Sequence, residues 1–483
     1  MLRFWKKVLT VAALLAVTPW AVGFTLLGPG GGEGIVAKLW QLPPANANWR
    51  IGYDRPGLDI GAPVQPLEAY RWNVPVITYA YDSTFIRYFG TNGIKAVDAA
   101  VRILNELPYM NRMSADLSEF PLNTAGLNYE AAQLGLVDLK TVALALLVEH
   151  LGLADSVRWN FAIRERIPIG GTPFGVYSVI KFNYDPVTFQ PSSYVNGTLY
   201  TYHILEIPPP VQFSDAVEDI PINLATEPVN LPVSSLSSFL ILSGYFHTGL
   251  TRDDVGGLRY LYLPRNQVAE TLLPGIIPAA GTTWLPFLGT NFLGTNGTGT
   301  NIITGTNVLA TTGLRGGLNK LQFQKVHFDS VLGSGFTSFN QIYRDYAVTT
   351  NSRVASQLVS RPVTQPDIVF TVNDIHPGIA ERTTTAGWID NSSLNGVNLI
   401  GGPGVIMPQV VISFNYQEPV LRNVTPFFIT EPTIGDSNSR IFGLLGPTWA
   451  SFDGSTNAPV IYPAYLNYSI EYLRTIAAGA ASP

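Results

Sequence analysis

None of the 483 residues is a cysteine. That absence removes disulfide staples, thiolate zinc sites and cysteine nucleophiles at once, so the fold must be held by burial and hydrogen bonding alone. The chain has the means, since 46% of its residues are hydrophobic and a chain of this length can bury sizeable cores. Charged residues make up only 13%, about half the usual share. So low a charge suits a surface covered by neighbours in an assembly, and equally a β-rich protein with uncharged polar loops.

Residues 1–23 have the three parts of a secretory leader: Arg3, Lys6 and Lys7, an apolar run from Val8 to Val17, and a small-residue exit at Ala21, Val22 and Gly23. Cleavage is expected after Gly23. The apolar run ends at Pro19 and is shorter than the roughly 20 residues that cross a bilayer, so the mature chain is expected to be exported, to the periplasm, cell surface or medium, without an integral membrane span. Losing the leader removes three of the 29 Lys and Arg and none of the 34 Asp and Glu. The acidic balance that remains gives no electrostatic ground for binding nucleic acid.

Behind the leader, residues 24–70 are rich in Gly and Pro and read as an extended strap; their GPGGGEG stretch follows no strand and lacks the Lys-Ser/Thr ending of a phosphate loop. A folded α+β domain, with a mixed sheet and helices, is expected over residues 71–265. It opens with the strand-like VITYAY at 76–81, a turn at YFGTNG, and a helix from Ile94 closed by Pro108. A second helix covers residues 138–153. Strands follow between 167 and 207, with turns at Asp185-Pro186 and Asn196-Gly197. The last helix, 250–262, begins at Thr251 with Asp254 in the reciprocal capping position and Asp253 in the favourable first turn. Residues 266–320, with GTN recurring at Gly289, Gly294, Gly299 and Gly305, read as a linker or surface loop. Residues 321–483 read as a β-rich domain, for which a sandwich is the natural architecture, with a helix near its end at 465–478.

Three segments resemble the matrixin-type metzincin peptidases. WNVPVITYAY with IKAVDAAVRILNEL is similar to that family's first strand and helix, and LTRDDVGGLRYLY to the helix that ends its catalytic domain. Between them, DLKTVALALLVEHLGLADS (138–156) lies without gaps on the zinc helix and its turn, which carry HExxHxxGxxH. Val142, Ala143, Leu151, Gly152 and Leu153 keep the framework. The first histidine position is Ala145, the catalytic glutamate is Leu146, and the second and third histidines are Glu149 and Asp155. No methionine lies between Met113 and Met407 to supply the family's methionine turn. The resemblance therefore implies a scaffold without zinc, without a catalytic residue and without a cofactor. Glu149 and His150 are adjacent on a helix and point about 100° apart, which disfavours their binding another cation; Glu149 is expected at the surface, and His150 near a helix end.

Other chemistries lack a local signature. The five histidines (His150, His203, His247, His327, His376) stand far apart in sequence, and no nucleophile elbow, Walker loop, dinucleotide fingerprint or EF-hand loop is present. Five sequons, at Asn196, Asn296, Asn391, Asn423 and Asn467, are no more than chance supplies in a chain so rich in Asn, Ser and Thr. The expected function is that of an exported non-catalytic binding or structural protein, its partner an envelope polymer, another protein or a further copy of itself. Two alternatives remain open: a carbohydrate-active hydrolase with two dispersed carboxylates, and a self-assembling lattice or fibre subunit.

Overall fold

The computed structural model describes residues 23–27, 63–64, 66, 70–172, 175–207, 213–219, 235–236, 243–279, 309–328, 335–348, 354–373, 382–390, 404–416, 421–424, 442–445 and 448–480. Residues 1–22 of the expected leader, the GPGGGEG stretch and all four GTN triplets lie outside these residues. The elements that build the core run in the order β1 (Phe24–Leu27), β2 (Tyr70–Arg71), β3 (Val76–Tyr81), α1 (Ser83–Glu106), α2 (Leu139–His150), β4 (Leu153–Ala154), α3 (Arg252–Tyr262), β5 (Gln322–Lys325), β6 (Phe339–Val348), β7 (Val354–Val363), β8 (Ile368–Asn373), β9 (Arg382–Asp390), β10 (Gly404–Asn415) and α4 (Ile470–Ala480). The fold is mixed α+β with strands predominating, and among the described residues no helix is long and apolar enough to cross a membrane.

The central sheet has the strand order β5-β3-β8-β10-β9, with β2 paired to the start of β10. β5, β3, β8 and β10 are parallel, and β9 closes one edge in the antiparallel sense. β3 belongs inside such a sheet because its two faces have different work, following the alternation of a strand. Tyr79 and Tyr81 on one face donate to Asp98 Oδ1 of α1 at 2.9 and 2.8 Å. Thr78 on the other face donates from its backbone N and its Oγ1 to Asp367 Oδ2, both at 2.8 Å.

α1 starts at Asp82, whose Oδ1 accepts from Phe85 N at 2.9 Å. Phe85, Phe89, Gly93, Ala96, Val97, Ala100, Val101 and Leu104 form its buried stripe. Residues 88–93, expected as a turn ahead of the helix, are instead a kink within it, where Gly90 takes φ 60°. Phe85 and Phe89 join Phe370, Phe414, Trp449 and Tyr462 in a chain of ring contacts between 4.9 and 6.2 Å. That chain fixes the helix to the sheet.

The expected division between residues 71–265 and 321–483 is crossed here. β3, from the first stretch, is hydrogen-bonded on both edges by strands of the second, and a single hydrophobic cluster runs from Phe24 to Tyr462. The physical reason is that β3 is buried apart from its first residue and its backbone groups need partners on both sides. The flanks of the expected linker are also structural. Val268–Thr271 and Thr312–Arg315 pair with each other in an antiparallel sheet that continues through β6 and β7 to Ile277–Pro278. Likewise the strap expected to begin at residue 24 starts with β1, buried throughout and paired with β4, with Asn183–Tyr184 and with Pro63–Val64. The apolar run Phe24–Leu27 is the sign in the sequence that this segment belongs inside.

Several local expectations hold. Asn196 and Gly197 take φ 43° and 83° between the paired strands Tyr194–Val195 and Thr198–Leu199, the geometry that an Asn-Gly hairpin turn requires. α3 carries the full capping box of Thr251 and Asp254. The terminal helix is present as α4, beginning later than expected, at Ile470.

Candidate functional site

α2 contains the positions that the family resemblance assigns to zinc chemistry. It begins at Asp138, whose Oδ2 accepts from Thr141 N at 2.9 Å and Thr141 Oγ1 at 2.6 Å. Burial pushes this carboxyl above its ordinary range, against the pull of the Thr141 hydrogen bonds and Lys140. From Leu139 to His150 every residue except Lys140 is buried. A helix apolar around its whole circumference lies within a core, and α2 packs against α1 on one side and near Thr448–Ser451 and Tyr245–His247 on others.

Its carboxyl end is closely tied. Trp72 Nε1 donates to the His150 carbonyl and Tyr262 Oη to the Leu151 carbonyl, each at 2.9 Å, satisfying groups that a helix end leaves open. Gly152 turns the chain with φ 107°, and a Cβ there would stand 2.2 Å from the Tyr70 carbonyl oxygen. Gly152→Ala is therefore expected to destabilise the protein by more than about 1 kcal/mol, the strain of a left-handed alanine being added to that clash. Thermal unfolding of the variant beside the wild type checks this.

The four substituted positions are all inside: Ala145, Leu146, Glu149 and Asp155 are 6%, 2%, 3% and 6% exposed. Glu149, expected at the surface, is thus a buried and engaged carboxylate; its place in the last turn of a helix covered on all sides overrides the usual exposure of a glutamate. Asp155 Oδ1 accepts from Val157 N and Arg158 N, both at 2.9 Å. It builds the turn after β4. Ala145 and Leu146 present no lone pair. Among the described residues no three His, Asp or Glu side chains are grouped to hold a metal ion.

Two histidines border α2 at opposite ends. His150, its last residue, is fully buried with neither ring nitrogen hydrogen-bonded, and burial pushes its pKa down to about 3. His247 donates its backbone N–H to Thr141 Oγ1 at 2.8 Å and pairs through Nδ1 with Thr124 Oγ1 at 2.9 Å; burial, reinforced by Lys140, brings its pKa to about 4. Both are neutral in the folded state, whereas an unfolded histidine takes up a proton near pH 6.5. The unfolded chain therefore binds more protons below that pH, and stability falls as the pH falls. The expected loss is roughly 1.4 kcal/mol per pH unit for each histidine between about pH 6 and 4. Urea titrations from pH 7 to 5 measure the slope, and His150→Leu is expected to remove about half of it.

Four buried carboxylates serve as structural partners. Asp254 completes the α3 capping box, Asp367 pairs with Arg361 and Thr78, and Asp345 with Arg315 at 2.9 Å. Glu270 Oε1 accepts from Arg71 Nε at 2.7 Å, and the two residues stand 199 apart in the chain. Nothing in the sequence marked that pair, because the two residues belong to segments that only the tertiary fold brings together. Asn196, the first of the five sequons, is buried and donates through Nδ2 to Thr251 Oγ1 at 3.0 Å, so its amide is occupied within the fold.

No family model, curated protein or solved structure matches the chain. The chemistry of the site therefore rests on its own side chains. Those around α2 fill space and close hydrogen bonds, and those at 145 and 146 offer nothing to a metal or a substrate.

Proposed function

We propose that the chain is an exported, non-catalytic binding or structural protein of the cell envelope or extracellular space, built in part on a degenerate metallopeptidase-like scaffold. The observation that carries the reading is the burial of α2. Ala145 and Leu146 are apolar, 6% and 2% exposed, where the peptidase chemistry needs a ligand and a base reached by water and substrate. The scaffold half of the reading is supported by the meeting of the three resembling segments. Leu104 and Leu107 at the end of α1, Leu151 after α2 and Leu258 of α3 line one small apolar cavity.

The test is made on the purified full chain, by metal analysis after dialysis against zinc and by release of fluorescent peptides from a mixed peptide library. The expected results are zinc far below one equivalent and no turnover above buffer. Stoichiometric zinc, or turnover sensitive to a chelator, would overturn the reading.

A further inference from the structure

Between α2 and α3 the strands Ala162–Pro168 and Gly175–Ile180 pair as an antiparallel hairpin. Its end is apolar and open. Ile167, which stands opposite Val176, is 53% exposed, Val176 56% and Ile169 44%. A Cβ built on Gly170 or Gly171 would meet nothing within 4 Å. From Ile167 to Ile180 the sequence has no charged residue. On β6, by contrast, the exposed Ile342 and Tyr346 flank an exposed Arg344.

The apolar tip stops at a single row of the hairpin, where Arg166 stands opposite Tyr177. The neighbouring hairpin of Thr201–Ile207 and Phe213–Asp219 places Glu206 opposite Ser214. Arg166 Nε donates to Tyr177 Oη and to Glu206 Oε1, both at 2.9 Å. Tyr177 Oη donates to Glu206 Oε1 at 2.7 Å and lies 3.1 Å from Ser214 Oγ. This network ties the two hairpins together and fixes the direction in which the tip projects. A surface strand usually divides polar from apolar between its two faces. Here the division runs along the strand axis, polar behind and apolar in front, as suits an element that enters an apolar phase end-on. The turn also closes on itself: Thr172 donates through its backbone N and its Oγ1 to the Ile169 carbonyl, at 3.1 and 3.0 Å. Thr172 has the one polar side chain among residues 167–172. Its engagement within the turn leaves the tip little means of directional recognition by a protein, and meets the demand of lipid that polar groups be satisfied internally.

We propose that this tip is a peripheral membrane anchor, in which Ile167, Ile169 and Val176 enter the surface of an electrically neutral lipid bilayer while the row of Arg166 and Tyr177 stays among the headgroups. The reach is right. Residues beyond Arg166 advance about 3.3 Å each, so the tip extends about 10 Å past that row, and interfacial elements bury their apolar parts about 5–10 Å deep. Tyr177, with an apolar ring and a hydroxyl already bonded to polar groups, suits the headgroup level. The lipid is a neutral one because 29 Lys and Arg against 34 Asp and Glu give the chain no attraction to an anionic surface. Burial of apolar area is then the driving force, and salt does not screen it. The site is separate from α2, so the anchor stands independently of the zinc and turnover expected there.

The experiment uses the full chain, which has no cysteine of its own. Ile169→Cys therefore takes a single environment-sensitive fluorophore at the tip, and Thr456→Cys takes it in an exposed turn elsewhere. With phosphatidylcholine vesicles the label at 169 is expected to shift its emission to the blue and to be quenched by lipids brominated on their acyl chains. Raising the salt to about 1 M is expected to change neither result, and the label at 456 to show neither. Ile167→Asp together with Val176→Asp is expected to lower the shifted fraction at least about tenfold and, both side chains being exposed, to leave Tm unchanged. Should the paired aspartates unfold the chain, Val176→Thr, which a strand accepts, is expected to give a smaller loss in the same direction. No shift at 169, a shift that survives these substitutions, or one lost in high salt overturns the proposal. Equal shifts at 169 and 456 overturn it as well, since contact is then not made by the tip. Sedimentation showing tip-dependent dimers without vesicle binding gives the surface to a second copy instead. None of these outcomes bears on zinc binding or turnover.

Discussion

Introducing the residues of the peptidase motif by Ala145→His, Leu146→Glu, Glu149→His and Asp155→His in one chain is expected to abolish folding and to create no zinc site. Leu146→Glu alone places a carboxylate where a 2% exposed leucine packs in the main core. A buried charge without a partner costs about 3–5 kcal/mol, a large part of the 5–15 kcal/mol that typically separates folded from unfolded chains. Asp155→His removes in addition the acceptor of two backbone N–H groups in the turn after β4. Circular dichroism and urea unfolding of Leu146→Glu and of the quadruple variant measure the loss, and zinc titration followed by calorimetry measures any gain. A folded quadruple variant that binds zinc near one equivalent would mean that α2 borders a cleft able to open, and the burial of these positions would not be what excludes metal from them.

Arg71→Ala is expected to have the next largest effect, about 3–5 kcal/mol, although Arg71 is far from α2 in sequence. Arg71 is 1% exposed. Its guanidinium gives Nε to Glu270, Nη1 to the carbonyls of Leu261 and Asn266, and Nη2 to the carbonyl of Arg315 at 2.9 Å. Arg315 in turn holds Asp345 and donates to the Glu270 carbonyl. One side chain therefore joins β2 of the central sheet, the end of α3 and the antiparallel sheet. Burial keeps the Glu270 carboxyl above its ordinary range even with Arg71 beside it, so removal of the guanidinium leaves an acid with every reason to be protonated. Glu270→Gln is accordingly expected to recover part of the loss in the Arg71→Ala background. A double-mutant cycle read by urea unfolding gives the coupling, for which a value near zero would show that the carbonyl contacts matter more than the ion pair.

Features governed by neighbours a few residues away were legible in the sequence. The capping box at Thr251, the Asn196-Gly197 turn and the helix over 139–150 with its turning glycine depend on backbone preference and short-range hydrogen bonding, and the structure has each of them. The features that were misplaced depend on distant partners. Residues 321–325 and 368–373 carry no local sign that they will flank residues 76–81, since the pairing of parallel strands is set by the sheet as a whole. The same holds for Val268–Thr271 and Thr312–Arg315, which flank a stretch of Gly, Thr and Asn and were expected to be loop. Glu149 shows the limit most plainly, because a glutamate in the last turn of a helix is ordinarily solvated and only the elements packed around α2 decide that this one is not.

By itself the sequence determined that no thiol chemistry is available and which residues, Ala145, Leu146, Glu149 and Asp155, stand where the proposed peptidase resemblance would put a zinc motif. Only the tertiary structure decided that those positions lie in packed core, that the expected two domains share a sheet, and that Arg166 and Glu206 bond to each other behind an exposed tip of Ile167, Ile169 and Val176. Residue identity fixes which atoms can donate, accept or coordinate. Whether they meet water, a partner or a wall of apolar side chains depends on contacts between segments hundreds of residues apart, which have no local signature.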